Sequence, residues 1–192
     1  MLKLGLTGGI GMGKSTVARL FAAHGIACFN ADDAVHALQA PHGAAIPALA
    51  AAFPTMVVEG VLNRSALRAL VLQNPDHMRR LEQIMHPLVQ AARATFLAQA
   101  EGQRAVLLDI PLLFETGGQA AFDKIITVSC PREVQVARVL ARGLPPDEVA
   151  ALIAKQVPDE KRRAGADYVI ENGGALAETE LQVRMIIKEL GL

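Results

Sequence analysis

Short runs that are apolar on both faces alternate along this chain with longer stretches whose apolar residues recur every three or four positions. The runs are Leu2 to Leu6, Ala27 to Asn30, Ala105 to Ile110, Lys124 to Ser129 and Tyr168 to Ile170. A strand that is apolar on both faces must be covered on both sides, and strands separated by helices read as crossover units of a parallel sheet. The pattern therefore predicts an α/β fold of three αβα layers around a five-stranded parallel sheet. After the first run, Val17, Leu20, Phe21 and His24 fall at helical spacing, and Gly25 supplies a C-terminal stop. From Asp33 to Gln103 only helical pieces are expected and no strand, with turn signals at Pro41-His42-Gly43, Phe53-Pro54 and Glu59-Gly60. Within it Asn74 caps a helix that opens with Pro75 and carries Met78, Leu81 and Met85 as one stripe. His86-Pro87 is expected to end or bend that helix. A second excursion, Pro131 to Ala166, is broken by Gly143 and Pro145-Pro146 into two helical arms. Ala175 to Leu190 reads as a closing helix with Leu176, Leu181, Met185 and Ile186 roughly on one face.

Directly behind the first run stands Gly8-Gly9-Ile10-Gly11-Met12-Gly13-Lys14-Ser15, which fits Gly-x-x-x-x-Gly-Lys-Ser/Thr at every fixed position. A strand that turns through glycines into a helix aims several backbone N–H groups at one point, and that point suits a polyphosphate. Gly8, Gly11 and Gly13 are expected at positive φ, where a Cβ would clash. In this motif Lys14 reaches the β- and γ-phosphates, Ser15 ligates the magnesium that bridges them, and Thr16 adds a second hydroxyl at the helix start.

The 192 residues suffice for one core with one or two insertions. Lys plus Arg and Asp plus Glu number 19 each, so the composition builds in no general attraction to nucleic acid or to an anionic membrane. Cys28 and Cys130 lie far apart in apolar runs, which suits reduced, buried thiols and a cytoplasmic protein better than a disulfide framework. Glycines interrupt the start of the chain from Gly5 onward, so a secretory leader is not expected. The most apolar stretch, Ala105 to Phe114, contains Asp109 and Pro111 and falls well short of the roughly 20 residues of a membrane span.

Asp32 follows the second strand, at the edge where open parallel sheets bind ligands. It can orient an acceptor hydroxyl in line with a γ-phosphate and take its proton, or Asp32 or Asp33 can cap the helix that follows; the two jobs can also be divided between them. Val106-Leu107-Leu108-Asp109 has the form of a strand that ends in a magnesium-linked carboxylate, acting directly or through water, and Glu115 is a second polar group at that edge. His86 reads as a helix-end residue more than as a base, and the histidines show no zinc-ligand spacing. The second excursion is the most basic part of the chain. Its Arg138 and Arg142 lie four apart and share a helix face that can meet a triphosphate. Tyr168 and Asn172-Gly173-Gly174 flank the last strand, where a loop can approach a purine ring.

Several segments together resemble the dephospho-CoA kinases, a P-loop family of the nucleoside-monophosphate-kinase group. They are Gly5 to Gly11 with Gly13-Lys14-Ser15-Thr16, Ala31-Asp32, Leu62-Asn63-Arg64 with Leu67, Leu81-Glu82 with Ile84, and His86-Pro87. Further on come Asp109 with Pro111-Leu112-Leu113-Phe114-Glu115, Gln135 with Arg138 and Arg142, Gln156, Lys161-Arg162, Ala166-Asp167, and Asn172-Gly173. The resemblance implies transfer of phosphate from ATP to the ribose 3′-hydroxyl of dephospho-CoA, with Mg²⁺, as the last step of coenzyme A synthesis. It divides one domain into a core (1–32, 104–131, 166–192), a helical acceptor-binding insertion (33–103) and a lid (132–165). It assigns ATP binding to Gly8, Gly11 to Thr16, Asn172 and Gly173, and catalysis to Lys14, Asp32, Arg138 and Arg142. Acceptor contacts fall to Asp32, Arg64, His86, Asp109 and Leu113. Two positions depart from the family pattern: Asn30 stands where a first Asp is usual, and Gly143 where an acid often follows the second lid arginine. On the residues alone, a kinase of another small hydroxyl compound or of a nucleoside monophosphate, and a nucleotide-gated binding module, remain as rival readings.

Overall fold

A computed structural model describes all residues, 1–192. In chain order the elements are β1 (Leu2–Gly8), α1 (Lys14–Ala23), β2 (Ala27–Asn30), α2 (Ala31–Leu38), α3 (Ile46–Ala52), β3 (Val57–Val58), β4 (Val61–Leu62) and α4 (Arg64–Gln73). There follow α5 (Pro75–Gln99), β5 (Ala105–Asp109), β6 (Lys124–Ser129), α6 (Arg132–Leu140), α7 (Pro146–Ala154), α8 (Asp159–Gly165), β7 (Tyr168–Glu171) and α9 (Leu176–Glu189). The chain forms two compact units, residues 1–29 with 100–192, and residues 30–99.

The first unit is built on a five-stranded sheet in the order β2-β5-β1-β6-β7, parallel in each of the β1–β5, β1–β6 and β6–β7 pairings. The strand runs expected from the sequence are its five strands. The register sets Leu6 beside Asp109 and Gly8 beside Val128, so the end of β1 and the end of β5 emerge at one edge. Leu4, Leu6, Phe21, Leu107, Ile126 and Ile170 are completely or almost completely buried around this sheet. Each such side chain contributes about 1.5–3 kcal/mol by leaving water. Of the four residues the sequence suggests for the apolar face of α9, only Ile186 is buried. Val183 and Ile186, with Thr179, face the core, whereas Leu176, Leu181 and Met185 are more than half exposed. At 100° per residue, Thr179, Val183 and Ile186 fall within about 60° of one another, whereas Leu181 and Met185 lie at least about 100° away, on the solvent side. The basic excursion holds three helices, α6, α7 and α8, rather than two arms, because Pro158 opens a third after Gln156-Val157. Val139, Val149 and Ile153 make a small core of their own there, with Ile10 packed against it.

The second unit is four helices and a two-residue hairpin around Ile46, Leu49, Phe53, Leu62, Leu67 and Met85. The hairpin β3–β4 corrects the expectation of a strand-free segment. Glu59-Gly60, read as a turn, is the bend that pairs Val57 with Leu62, and both residues take positive φ. Pro87 does not end α5, which runs through it. Pro87 and Gln83, four residues earlier, both lie on the exposed side, so the carbonyl that loses its partner can face water, and packing against α2 and α4 keeps the helix continuous. The cap at Asn74 is as expected: its Oδ1 accepts from the Asp76 N–H at 2.9 Å.

Candidate functional site

β1 leads into a turn that delivers the chain to α1. Gly11 and Gly13 sit at φ +77° and +88°, as expected; Gly8, at +159°, is extended, and its need is closeness, because a Cβ would lie 2.8 Å from the Val128 carbonyl oxygen. A Cβ on Gly11 would lie 2.6 Å from Val139 Cγ2, and one on Gly13 would strike the Asn172 amide. No side chain caps the start of α1. Its first N–H groups are left for an anion, on a helix whose dipole favours negative charge there.

Around this turn a cavity of about 420 Å³ is lined by Gly11, Gly13, Ser15, Thr16, Arg138, Arg142 and Asn172, among others. The structure therefore brings together the cradle, both arginines of α6 and its continuation, and the loop after β7, which lie far apart in sequence. Asn172 is 5 % exposed; its Nδ2 donates to the Met12 carbonyl at 2.8 Å and its Oδ1 accepts from the Thr179 hydroxyl at 3.1 Å. Arg138 Nη2 donates to the Asn172 carbonyl at 2.8 Å, which fixes the guanidinium beside Gly13. Met12 faces inward, its sulfur accepting from the Cys130 N–H at 3.2 Å, and Gly173 packs against the Pro131 ring.

Lys14 and Asp109 form an ion pair at the sheet edge, with Asp109 almost wholly buried. The register that sets Asp109 beside Leu6 is what puts the two in reach. Nearby, burial and the charge of Asp109 push the Cys28 thiol up to about 11, so it stays protonated and is no nucleophile at neutral pH. Leu113 is 1 % exposed and its carbonyl accepts from the Gly118 N–H at 3.1 Å, so it packs the loop, and the exposed side chain there is Leu112.

In the second unit, α2 begins at a cap the sequence reading did not assign. Asn30 Oδ1 accepts from the N–H groups of Asp32 (2.8 Å) and Asp33 (3.1 Å), so neither aspartate is the cap. The Asp32 carboxylate lies exposed in the first turn, not committed to closing the helix. One turn on, His36 Nδ1 meets Arg64 Nη1 at 3.1 Å. A cavity of about 380 Å³ in this unit is lined by Val35, Gln39, Leu81, Met85, His86 and Val89, among others. No group of three or more His, Cys, Asp or Glu is placed to hold a metal, and no helix is long and apolar enough to cross a membrane.

Sequence reasoning gave no role to Gln135, Gln156 or Arg162. Their one signal is that they stand in the family-like segments, since an interior glutamine or arginine otherwise reads as surface until its partners are seen. Gln135 is 1 % and Arg162 4 % exposed.

The sequence profile described as dephospho-CoA kinase matches residues 2–178. The chain is similar to the dephospho-CoA kinase of Mesorhizobium japonicum, at 49 % identity over 193 residues, covering 99 % of this chain and 97 % of that one. A protein of known crystal structure from Thermus thermophilus is similar at a TM-score of 0.82 and 37 % identity, covering 98 % and 97 % of the two chains. The dephospho-CoA kinase from Campylobacter jejuni shares the fold, with a TM-score of 0.70 at 22 % identity over 98 % and 96 %. With its cradle, its paired lysine and its full-length likeness, the chain belongs to the dephospho-CoA kinase family.

Proposed function

We propose that this chain transfers the γ-phosphoryl group of ATP to the ribose 3′-hydroxyl of dephospho-CoA, giving CoA and ADP, the last step of coenzyme A synthesis. The chain is a kinase by its family. The observation that carries the assignment of residues is the cavity in which Gly11, Gly13, Ser15 and Thr16 meet Arg138, Arg142 and Asn172. ATP lays its phosphates on the turn, where the uncapped N–H groups of α1 and the Lys14 ammonium receive them. Lys14 leaves or shares Asp109 to do so, which keeps the ammonium poised at the edge. Arg138 and Arg142 donate to phosphate oxygens as charge spreads over them, and residues 132–165 serve as the lid. Asn172 and Gly174 line the cavity, and Gly173 between them belongs to the same loop on its nucleotide side. Residues 30–99 receive the acceptor, with Arg64, itself paired with His36, for its phosphates and His86 at the 380 Å³ cavity.

Asp32 orients the hydroxyl and takes its proton late in transfer. It is available because Asn30 does the capping. The residues here also fit magnesium bound with a nucleotide. Mg²⁺ takes few protein ligands and keeps phosphate oxygens and waters, and the Ser15 hydroxyl and the Asp109 carboxylate supply that modest set. When bound, the ion neutralises charge on the β- and γ-phosphates.

Steady-state kinetics test the base. Asp32→Asn lowers kcat by about 10²- to 10⁴-fold and leaves KM for ATP unchanged. Turnover near that of the unaltered chain removes Asp32 from the role.

A further inference from the structure

Besides the contacts at Met12, the cradle is held at Ile10, by residues of the 132–165 segment. The Ile10 N–H donates to Gln156 Oε1 at 2.9 Å. The Ile10 carbonyl accepts from Gln135 Nε2 at 2.8 Å, and Gln135 Oε1 accepts in turn from Arg132 Nη1 at 3.0 Å. The Ile10 side chain packs against the small core of Val139, Val149 and Ile153. Behind Gly9 the packing is as close: a Cβ there would lie 2.7 Å from Arg162 Nη2, 3.1 Å from Gln156 Oε1 and 3.3 Å from Gln135 Nε2.

Gln156 is itself held. The next N–H, of Val157, donates to Glu115 Oε1 at 3.0 Å. The buried Arg162 lies 3.6 Å from Glu115 and 3.7 Å from Asp159, whose other oxygen accepts from the Ser129 hydroxyl at 2.5 Å. A chain of polar contacts thus runs from β6 through α8 to the link between α7 and α8, and ends on the backbone of the phosphate turn.

We propose that Gln156 is a positioning residue for ATP: with Gln135 it fixes both backbone polar groups of Ile10, and so ties the shape of the phosphate cradle to the seating of the α6–α8 segment. The proposal rests on the reading that this cradle binds ATP. Its physical basis is that the Ile10 N–H, spent on Gln156, is not offered to a phosphate. The turn is thereby held with its remaining donors, those leading into α1, aimed at the anion before it arrives. Binding to a cradle built in advance avoids the ordering cost that a loose glycine turn would bear at the moment of association. The same contact makes nucleotide affinity sensitive to anything that unseats α7 or α8, since residue 156 stands just past Lys155, the C-cap of α7.

The test is isothermal titration of MgATP and steady-state kinetics on Gln156→Met and Gln156→Glu, with melting temperatures measured alongside. Methionine keeps the volume and removes the acceptor oxygen; glutamate keeps the acceptor, beside the Arg162 guanidinium. Gln156→Met is expected to raise both Kd and KM for ATP about tenfold, the cost of stranding a half-buried N–H. KM for dephospho-CoA and most of kcat are retained. Gln156→Glu is expected to restore ATP affinity to within about threefold. A residue that merely stabilises the fold would lower the melting temperature of Gln156→Met and leave the ATP and acceptor constants in their original ratio. That result overturns the proposal, as does equal loss of affinity in the Met and Glu variants. If the unaltered chain binds ATP and Gln156→Met binds it as tightly, the clamp alone fails. If the unaltered chain does not bind ATP, the reading of the cradle falls and takes the clamp with it.

Discussion

Replacing Lys14 by methionine removes one half of a buried ion pair and keeps most of the apolar stem. The Asp109 side chain is 2 % exposed and that of Lys14 16 %. Water reaches the ammonium and hardly touches the carboxylate, so the loss falls on Asp109, whose charge then lies in the sheet edge without its cation. Breaking a buried pair from one side costs about 3–5 kcal/mol. For a chain of 192 residues each kcal/mol moves Tm by about 2–4 °C, so a fall of about 6–20 °C is expected without nucleotide. Urea unfolding of Lys14→Met, Asp109→Asn and the double variant closes the cycle. The double variant, with no charge left to strand, is expected to recover at least about 2 kcal/mol of the Lys14→Met loss. Lys14→Met should also lose the upward shift in Tm that ATP gives the unaltered chain. A Lys14→Met protein within about 0.5 kcal/mol of the original, or a double variant no more stable than Lys14→Met, refutes the claim that the pair is buried and coupled.

Asn30→Ala, which removes the cap of α2, is expected to cost about 1 kcal/mol in urea unfolding, whereas Asn30→Asp, which keeps an acceptor for both N–H groups, stays within about 0.5 kcal/mol. A large loss in Asn30→Asp would show that the amide does more than cap. Asp167 accepts from Lys124 Nζ at 2.7 Å and from the Ile125 N–H at 2.8 Å, and the lysine contact holds its carboxyl below the usual aspartate range. A folded-state pKa below the unfolded value gives stability that is complete above about pH 4 and is lost as pH falls through the folded value. Asp167→Ala should therefore be less stable than the original at pH 7, with the gap closing toward about pH 3; a gap independent of pH contradicts this.

The sheet was legible because five doubly apolar runs each need cover on both faces, and the cradle because its glycines, lysine and serine sit at fixed spacing. Other features were hidden for identifiable reasons. The hairpin of Val57–Val58 with Val61–Leu62 is too short for an alternating pattern to register. Pro87 carries a helix-breaking signal that side-on exposure and long packing along α5 override. Leu181 and Met185 look like core residues by type, but Thr179, Val183 and Ile186 form the stripe that is buried. At the site, Asp32 reads equally as base or cap until Asn30 is seen to fill the cap. Gln135 and Gln156 could not be read as holding Ile10, because contacts 125 and 146 residues apart in sequence leave no local pattern.

The most direct measurement compares ADP release from ATP with dephospho-CoA and with its 3′-deoxy analogue under identical conditions. The account predicts steady ADP formation with dephospho-CoA and none above background when the 3′-oxygen is missing. Equal release with both compounds, or with neither added, would contradict phosphoryl transfer to that hydroxyl.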